Sequence, residues 1–238
     1  MDKVPRLTTK LFADGADLEH ILRLATDERI RGFTTNPTLM WKAGLTDYTV
    51  FCRRLLAEIT DRPISFEVFA DDAQEIRRQA RIIAGWGENV YVKVPVTTTR
   101  GESLAAVVRD LSADGVQVNV TALFTPAQVR EITAAVATGA PSYLSVFAGR
   151  IADTGRDPLP IMREALEIMR EAPQAELIWA SPRELLNVVQ ADSIGCHIIT
   201  CTSDVLAKLA TLGKDLEQFS LETVQMFHRD AVTAGFEL

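Results

Sequence analysis

Two kinds of segment alternate regularly along this chain, and the alternation leaves few possible folds. Short runs rich in β-branched, apolar and aromatic residues are each followed by a longer stretch with the apolar spacing of an amphipathic helix. The eight predicted strands are residues 7–14, 32–36, 64–70, 90–96, 117–124, 143–149, 175–181 and 196–202. Strands that alternate with helices are typical of parallel sheets, because each crossover between parallel strands needs a covering segment.

Eight strand–helix units favour a single (β/α)8 TIM barrel, of the α/β class, that occupies residues 1–238. An open doubly wound sheet is the alternative, but it more often has six strands or fewer and a glycine-rich first turn. The sequence contains no GxGxxG, phosphate-loop or GxSxG motif and no low-complexity break. After the eighth unit, residues 220–238 contain an additional C-terminal helix with no strand to cover, which we expect to contact another subunit.

Capping signatures predict where several helices begin. The signatures are Asp72 with Glu75, Thr99 with Glu102, Thr125 with Gln128, and Ser181 with Glu184.

Composition limits the partners of the protein. The formal net charge is −7 and no basic run occurs, which argues against a nucleic-acid partner and against an anionic membrane. No apolar run approaches the ~18 residues that span a bilayer, and the N-terminus lacks the apolar core of a signal peptide. Cys52, Cys196 and Cys201 form no CxxC pair, so we expect reduced, mostly buried thiols in a cytoplasmic protein.

A lysine interrupts the fourth predicted strand, where residues 89–96 read NVYVKVPV. A buried ammonium group is costly unless it reaches water, finds a partner or gives up its proton. The last option would make Lys93 a nucleophile.

Active sites of such barrels gather at the C-terminal ends of the strands, and this rule selects a set of polar and aromatic candidates. They are Asp14, Asn36, Glu67, Lys93, Asn119, Thr121, Ser145, Phe147, Arg150, Ser181 and Arg183.

Some of these candidates also have ordinary structural interpretations. Asp14 and Asn36 could cap a helix or a turn, and Ser181 could cap the helix that its signature predicts. Thr121 and Ser145 could fill a layer of the barrel.

The strongest combination is Lys93 with an acid, Glu67, on one neighbouring strand and a hydroxyl, Thr121, on the other. Lys93 and Glu67 could form a purely structural ion pair. Together with a hydroxyl, however, they provide what imine chemistry requires, namely an uncharged amine, a group that moves protons and a held water.

A metal-dependent hydrolase is the competing interpretation of a polar barrel mouth. Its ligands would be histidines and carboxylates at strand ends, but the chain has only His20, His197 and His228, with no HxH pair. We therefore expect no metal.

Five segments resemble the transaldolase family, and in particular its small branch that includes fructose-6-phosphate aldolases. They occur in the family's strand order and cover nearly the whole chain. They are GFTTNPTLM (32–40), VYVKVPVT (90–97), NVTALFTPAQ (119–128), SVFAGRIAD (145–153) and WASPRELL (179–186).

The resemblance implies a catalytic role for four residues and requires no cofactor. Lys93 would form a Schiff base with the ketone of a sugar phosphate. Asp14 would act on the hydroxyl whose deprotonation breaks the carbon–carbon bond, and Glu67 with Thr121 would hold the water that relays protons.

The resemblance also implies how the substrate is bound. Substrate hydroxyls would contact Asn36, Asn119 and Ser145. The phosphate would be held by Arg150, Ser181 and Arg183, and guanidinium groups beside a helix N-terminus are a sound anion site in general.

The family contains transferases and aldolases, and two positions distinguish them. Free-aldolase members place glutamine where this chain has Glu67 and tyrosine where it has Phe147. We therefore expect the protein to transfer a dihydroxyacetone unit between sugar phosphates, as a step of carbohydrate metabolism in the pentose phosphate pathway. The alternatives are an aldolase that releases free dihydroxyacetone and a non-catalytic sugar-phosphate-binding barrel.

Three residues near the predicted phosphate-binding residues depart from the pattern of the family or add to it. Pro182 stands where an aromatic residue is common, Trp179 precedes Ala180-Ser181, and Arg156 adds a guanidinium near the rim. They leave the donor and acceptor sugars open. Small members of the family often assemble into rings of five or pairs of rings, so we expect a homo-oligomer.

Overall fold

The computed structural model describes residues 7–236, which contain a closed barrel of eight parallel strands in sequential order. The strands are β1 (Lys10–Asp14), β2 (Ile30–Thr34), β3 (Ile64–Glu67), β4 (Val90–Pro95), β5 (Val118–Leu123), β6 (Ser142–Val146), β7 (Ala175–Trp179) and β8 (Ile198–Cys201). The predicted (β/α)8 architecture is therefore confirmed.

Helices surround the barrel and alternate with its strands. They are α1 (Leu18–Leu24), α2 (Pro37–Lys42), α3 (Tyr48–Glu58), α4 (Ala73–Ala84), α5 (Ala105–Ala113), α6 (Pro126–Val136), α7 (Ala148–Ala152), α8 (Leu159–Ile168), α9 (Leu186–Ser193), α10 (Ser203–Ala207) and α11 (Leu216–Ala234). None of these helices is long and apolar enough to cross a bilayer.

Most of the predicted strands extend too far at their C-terminal ends. The reason is that buried residues continue past the last residue of the strand, as Thr35, Val68 and Val96 do. Burial extends the strand-like composition beyond the residues that form the strand itself.

Two of the predicted capping signatures are confirmed. The Asp72 carboxylate accepts from the backbone N–H groups of Gln74 and Glu75 at the start of α4. Thr125 and Gln128 form a reciprocal capping box at the start of α6, with Pro126 in its first turn.

The other two predicted caps are wrong. α5 begins at Ala105, and the Thr99 hydroxyl instead donates to Asp71. Ser181 starts no helix, since α9 begins at Leu186.

A separate apolar layer lies inside the barrel. It consists of Phe12, Tyr143, Ile178, Ala180 and Ile198, with Tyr91 and Phe147 packed against it. The rings of Tyr91 and Tyr143 stack with their centroids 3.9 Å apart. Gly32 makes room for this layer, because a Cβ there would lie 2.5 Å from the Phe12 ring.

The larger apolar cluster lies between the strands and the surrounding helices. Successive side chains of a strand point to opposite faces, so the same strands that fill this outer core also line the barrel. Polar side chains also line the inner face toward the C-terminal ends of the strands, and the candidate residues lie there.

The C-terminal helix begins earlier than the sequence predicts. α11 starts at Leu216, where the Asp215 side chain accepts from the backbone N–H of Gln218. It ends before Gly235, which takes a left-handed conformation with φ 68°. The predicted helix included residues 237–238, which lie outside the described residues, as do residues 1–6 of the predicted domain. No residue of α11 is buried.

Candidate active site

Lys93 lies inside the barrel on β4, directly beside Glu67, the last residue of β3. Its Nζ donates to Glu67 Oε1 over 2.8 Å, and also to the main-chain carbonyl of Thr35. The side chains of Lys93 and Glu67 are only 9% and 6% exposed, respectively. The lysine of the NVYVKVPV strand is thus buried with a carboxylate partner, at the polar end of the barrel.

Glu67 is held from several sides. The hydroxyl of Thr35 donates to Oε2, the carboxylate oxygen that Lys93 does not use, over 2.9 Å. The phenol of Tyr48, on α3, donates to the main-chain carbonyl of Glu67 over 3.0 Å. These contacts fix both the backbone and the carboxylate plane of Glu67.

Asp14, at the end of β1, is the second carboxylate at this end of the barrel. Its Oδ1 accepts from the Thr34 hydroxyl over 2.8 Å, and its Oδ2 accepts from the amide of Asn36 over 3.2 Å. Burial raises the pKa of Asp14, whereas the positive charge of Lys93 and the hydrogen bonds from Thr34 and Asn36 oppose this rise. Asp14 caps no helix, since Asp17 provides the cap of α1.

Asn36 has the capping role that the sequence leaves open for it, and its amide also contacts Asp14. Its Oδ1 accepts from the backbone N–H of Leu39 and caps α2. Its Nδ2 remains free to donate to Asp14, so the capping bond fixes the orientation of the amide that meets the carboxylate.

A second polar chain joins β6, β5 and β3 beside Lys93. The Ser145 hydroxyl donates to Asn119 Oδ1 over 2.7 Å, and Asn119 Nδ2 donates to the Ser65 hydroxyl over 3.0 Å. Asn119 also pairs in register with Lys93 across β4 and β5. Asn119 and Ser145 are therefore brought together beside Lys93.

Thr121 is two residues further along β5, opposite Pro95. Among residues 7–236, no hydrogen bond joins the Thr121 hydroxyl to Glu67. Ala122, which follows it, has φ 62°, and the β5–β6 register shifts between Val120 and Leu123. The structure therefore places Thr121 on the strand next to Lys93 but does not join it to the Lys93–Glu67 pair.

The predicted phosphate-binding residues gather on the rim after β6 and β7. Arg183 donates to both oxygens of Asp153, over 2.8 and 2.5 Å, and its Nη1 donates to the Ser181 hydroxyl over 2.9 Å. The guanidinium of Arg150 lies 5.4 Å from the centroid of the Phe147 ring. Hydrogen bonds from Arg183, and further the charge of Arg150, hold the pKa of Asp153 below its usual range.

A long-range contact explains why Ser181 does not begin a helix. A Cβ on Gly149 would lie 1.6 Å from the main-chain oxygen of Ser181, so the two backbones touch. Ser181 adopts φ 62° at this contact. The backbone N–H groups of Arg183 and Glu184 then donate to the side chain of Asn187, within α9.

Several residues of the site were not identified from the sequence. Thr34 and Thr35 adjoin Asn36 in the GFTTNPTLM segment, and Ser65 precedes Glu67 by one strand period, so position alone could have indicated them. Asp153 carries no such signal. Thr200, on β8, was also missed, and its hydroxyl lies 2.6 Å from that of Thr34. The missed residues are Thr34, Thr35, Tyr48, Ser65, Asp153 and Thr200.

Comparison with known proteins identifies the family. Residues 11–238 match the family model described as transaldolase/fructose-6-phosphate aldolase. The chain is 34% identical over 232 residues to the probable transaldolase of Herpetosiphon aurantiacus, with 96% of this chain and 100% of that protein covered. It is 37% identical over 201 residues to the probable transaldolase of Streptococcus equi subsp. zooepidemicus, with 84% and 89% covered.

A solved structure supports the fold alone. The crystal structure of 3-hexulose-6-phosphate synthase from Salmonella typhimurium superposes with a TM-score of 0.59 at 13% identity, over 84% of this chain and 91% of that one. The barrel, together with the matches over nearly all of its length, leads to one conclusion: the chain belongs to the transaldolase/fructose-6-phosphate aldolase family.

Proposed function

We propose that this protein is a transaldolase, which transfers a dihydroxyacetone unit between sugar phosphates through an imine on Lys93. The observation that carries the proposal is the buried contact of Lys93 Nζ with Glu67 Oε1, at the end of the barrel where Asp14 also lies. One amine and two separately held carboxylates provide a nucleophile and two groups that can move protons.

The proposed reaction begins at Lys93. Its uncharged Nζ adds to the carbonyl carbon of a ketose phosphate, and loss of water gives an iminium ion. Glu67, together with a water that Thr121 would help to hold, moves the protons of this step. The amine reaches the uncharged state when Nζ passes a proton to Glu67 Oε1, with which it is in direct contact.

Cleavage follows from the iminium ion. Asp14 takes the proton of the C4 hydroxyl, the C3–C4 bond breaks, and its electron pair moves into the iminium group to give an enamine. An aldose phosphate leaves. A second aldose phosphate then accepts the enamine by the reverse steps, and water hydrolyses the new iminium ion to free Lys93.

We place the sugar hydroxyls near Asn36, Asn119 and Ser145, and the phosphate near Ser181 with Arg150 and Arg183. In support, Arg183 Nη1 already lies against the Ser181 hydroxyl. Asp153 accepts from Nε and Nη2 of Arg183, and Nη1 donates to the main-chain and hydroxyl oxygens of Ser181, so the second hydrogen of Nη2 is the one that would meet the phosphate.

The second candidate function is an aldolase that releases free dihydroxyacetone, which the same family description includes. Phe147 argues for transfer, since it places an apolar ring beside Arg150 where a phenol could help to activate water. Without that help, the enamine on Lys93 should persist until an aldehyde acceptor arrives.

The assay measures dihydroxyacetone release and product ketose phosphate from fructose 6-phosphate, with and without an aldose phosphate acceptor. We expect transfer to exceed release clearly, and Phe147→Tyr to raise the release rate, more so together with Glu67→Gln. Equal rates of substrate consumption with and without acceptor would overturn the transaldolase proposal and favour the aldolase.

We also propose that the protein is a cytoplasmic homo-oligomer. α11 leaves large apolar side chains exposed along its length, which a second copy of the chain would cover. They include Leu216, Phe219, Val224 and Phe227.

A further inference from the structure

Thr34 is the last residue of β2 and Thr35 follows it. The hydroxyl groups of these two threonines contact different carboxylates. The Thr34 hydroxyl donates to Asp14 Oδ1 over 2.8 Å, whereas the Thr35 hydroxyl donates to Glu67 Oε2 over 2.9 Å. Both threonines are buried. Adjacent residues thus hold the two acids at the centre of the barrel, and each holds only one of them.

Thr35 contacts both members of the Lys93–Glu67 pair. Its main-chain carbonyl accepts from Lys93 Nζ, and its hydroxyl meets the oxygen of Glu67 that points away from the lysine. The hydroxyl also lies 2.9 Å from the main-chain oxygen of Ser65, but it has one proton, and a carboxylate is the stronger acceptor. Thr35 therefore orients Glu67 Oε1 toward the amine.

Thr34 is the middle member of a hydrogen-bonded chain that reaches across β8, β2 and β1. Its oxygen lies 2.6 Å from the Thr200 hydroxyl. Since Thr34 gives its only proton to Asp14, Thr200 must be the donor to Thr34, and such chains strengthen each successive bond. The bond from Thr34 also opposes the rise in the pKa of Asp14 that burial causes.

We infer that Thr34 and Thr35 are positioning residues that assign the two carboxylates to different steps of the reaction. Thr35 holds Glu67 for the proton transfers of imine formation and hydrolysis. Thr34 holds Asp14 for cleavage of the carbon–carbon bond. The inference rests on the proposed function, because it concerns steps of that reaction.

A purely structural role for these hydroxyls leads to a different expectation. Two buried hydroxyls that only satisfied hydrogen bonds would, when removed, lower stability and affect all chemical steps alike. If each hydroxyl instead holds the acid of a different step, the two variants should be slow at different steps. The comparison of Thr34→Val with Thr35→Val is informative because both changes replace one hydroxyl by one methyl group on the same segment.

The experiment is a rapid-quench single turnover with enzyme in excess over fructose 6-phosphate. Borohydride traps the covalent adducts, and mass spectrometry separates the six-carbon phosphorylated adduct from the three-carbon adduct. Released aldose phosphate is measured in parallel. The variants are Thr34→Val and Thr35→Val, with Thr34→Ala and Thr35→Ala as a second pair should the valine variants not fold.

We expect Thr35→Val to slow formation of the first adduct by roughly tenfold or more, with no build-up of the six-carbon species. Thr34→Val should form that adduct at nearly the normal rate, but it should then accumulate while aldose phosphate release slows by roughly tenfold or more. The acid limb of the release step should also move to higher pH in Thr34→Val.

Two control variants test whether the effects come from loss of the Thr34 and Thr35 hydroxyl groups rather than from any change in this segment. Thr38 lies exposed on α2, only a few residues away, and Thr38→Val should change neither step. Thr35→Ser keeps the hydroxyl and should restore adduct formation.

Equal slowing of both steps by both variants would overturn the inference and leave the proposed function standing. The absence of any trapped adduct with the unmodified protein would overturn the proposed function itself, and the inference with it.

Discussion

Replacing Lys93 with Met should destabilise the protein as well as stop the proposed chemistry. Methionine matches the length of lysine, so β4 can accommodate it, but the carboxylate of Glu67 stays buried and loses its cation. Removing one partner of a buried ion pair costs about 3–5 kcal/mol in the free energy of unfolding. The bond from Thr35 remains, which places the expected loss near the lower end, about 3 kcal/mol.

A second lysine–carboxylate pair of the same chain provides the matched control. Lys10 Nζ lies 2.7 Å from Glu176 Oε1 at the opposite end of the barrel, but these side chains are 47% and 29% exposed. Since exposed pairs contribute little, Lys10→Met should cost about 1 kcal/mol or less. The pairing distances are nearly equal, so burial is the variable that differs.

A double variant tests whether the uncompensated charge is the cause. Lys93→Met with Glu67→Gln removes both charges of the pair, and the glutamine oxygen can still accept from Thr35, so most of the loss should be recovered. The measurement is the urea unfolding midpoint by circular dichroism. Equal losses of stability in Lys93→Met and Lys10→Met, or a double variant no more stable than Lys93→Met, would show that the buried unpaired charge is not the cause.

Three further predictions concern the rim, the pH dependence and the assembly. Arg183→Ala and Arg150→Ala should each weaken phosphorylated donors by about 1.5–3 kcal/mol in kcat/KM and barely affect free dihydroxyacetone; equal weakening of both donors would indicate a structural role. Asp14 must be ionised to accept a proton, and its pKa is raised, so kcat/KM should fall on acidification at a higher pH than an ordinary aspartate would give. The measurement is the steady-state rate across pH. A fall only in the usual aspartate range would contradict this role of Asp14. Deletion of residues 216–238 should convert an oligomer into a monomer by light scattering, and a monomeric full-length protein would exclude the proposed contact of α11.

The sequence predicts the barrel and the neighbours of Lys93 for the same physical reason. In a sequentially ordered parallel barrel, strand order is chain order, so polar residues on β3 and β5 must flank those on β4. That rule predicted Glu67 beside Lys93, but on β5 it paired Lys93 with Thr121, whereas the structure pairs it with Asn119. It could not give the register, which leaves Thr121 opposite Pro95 and apart from the Lys93–Glu67 pair.

The errors have their origin in contacts between distant parts of the chain. The Ser181-Pro182-x-Glu184 pattern is a reasonable local cap, but the approach of Gly149 imposes a left-handed conformation that no local signal reveals. Likewise, Asp153 meets Arg183 across 30 residues of sequence. Local patterns predict elements well, whereas the details of the rim depend on which loops the barrel brings together.

Trapping of the imine shows directly whether Lys93 is the nucleophile. The unmodified protein is incubated with fructose 6-phosphate, reduced with borohydride, digested and analysed by mass spectrometry. We predict a reduced sugar adduct on the peptide that contains Lys93, and none in Lys93→Met. An active enzyme with no adduct, or with its adduct on a lysine other than Lys93, would contradict the proposal that Lys93 forms the imine.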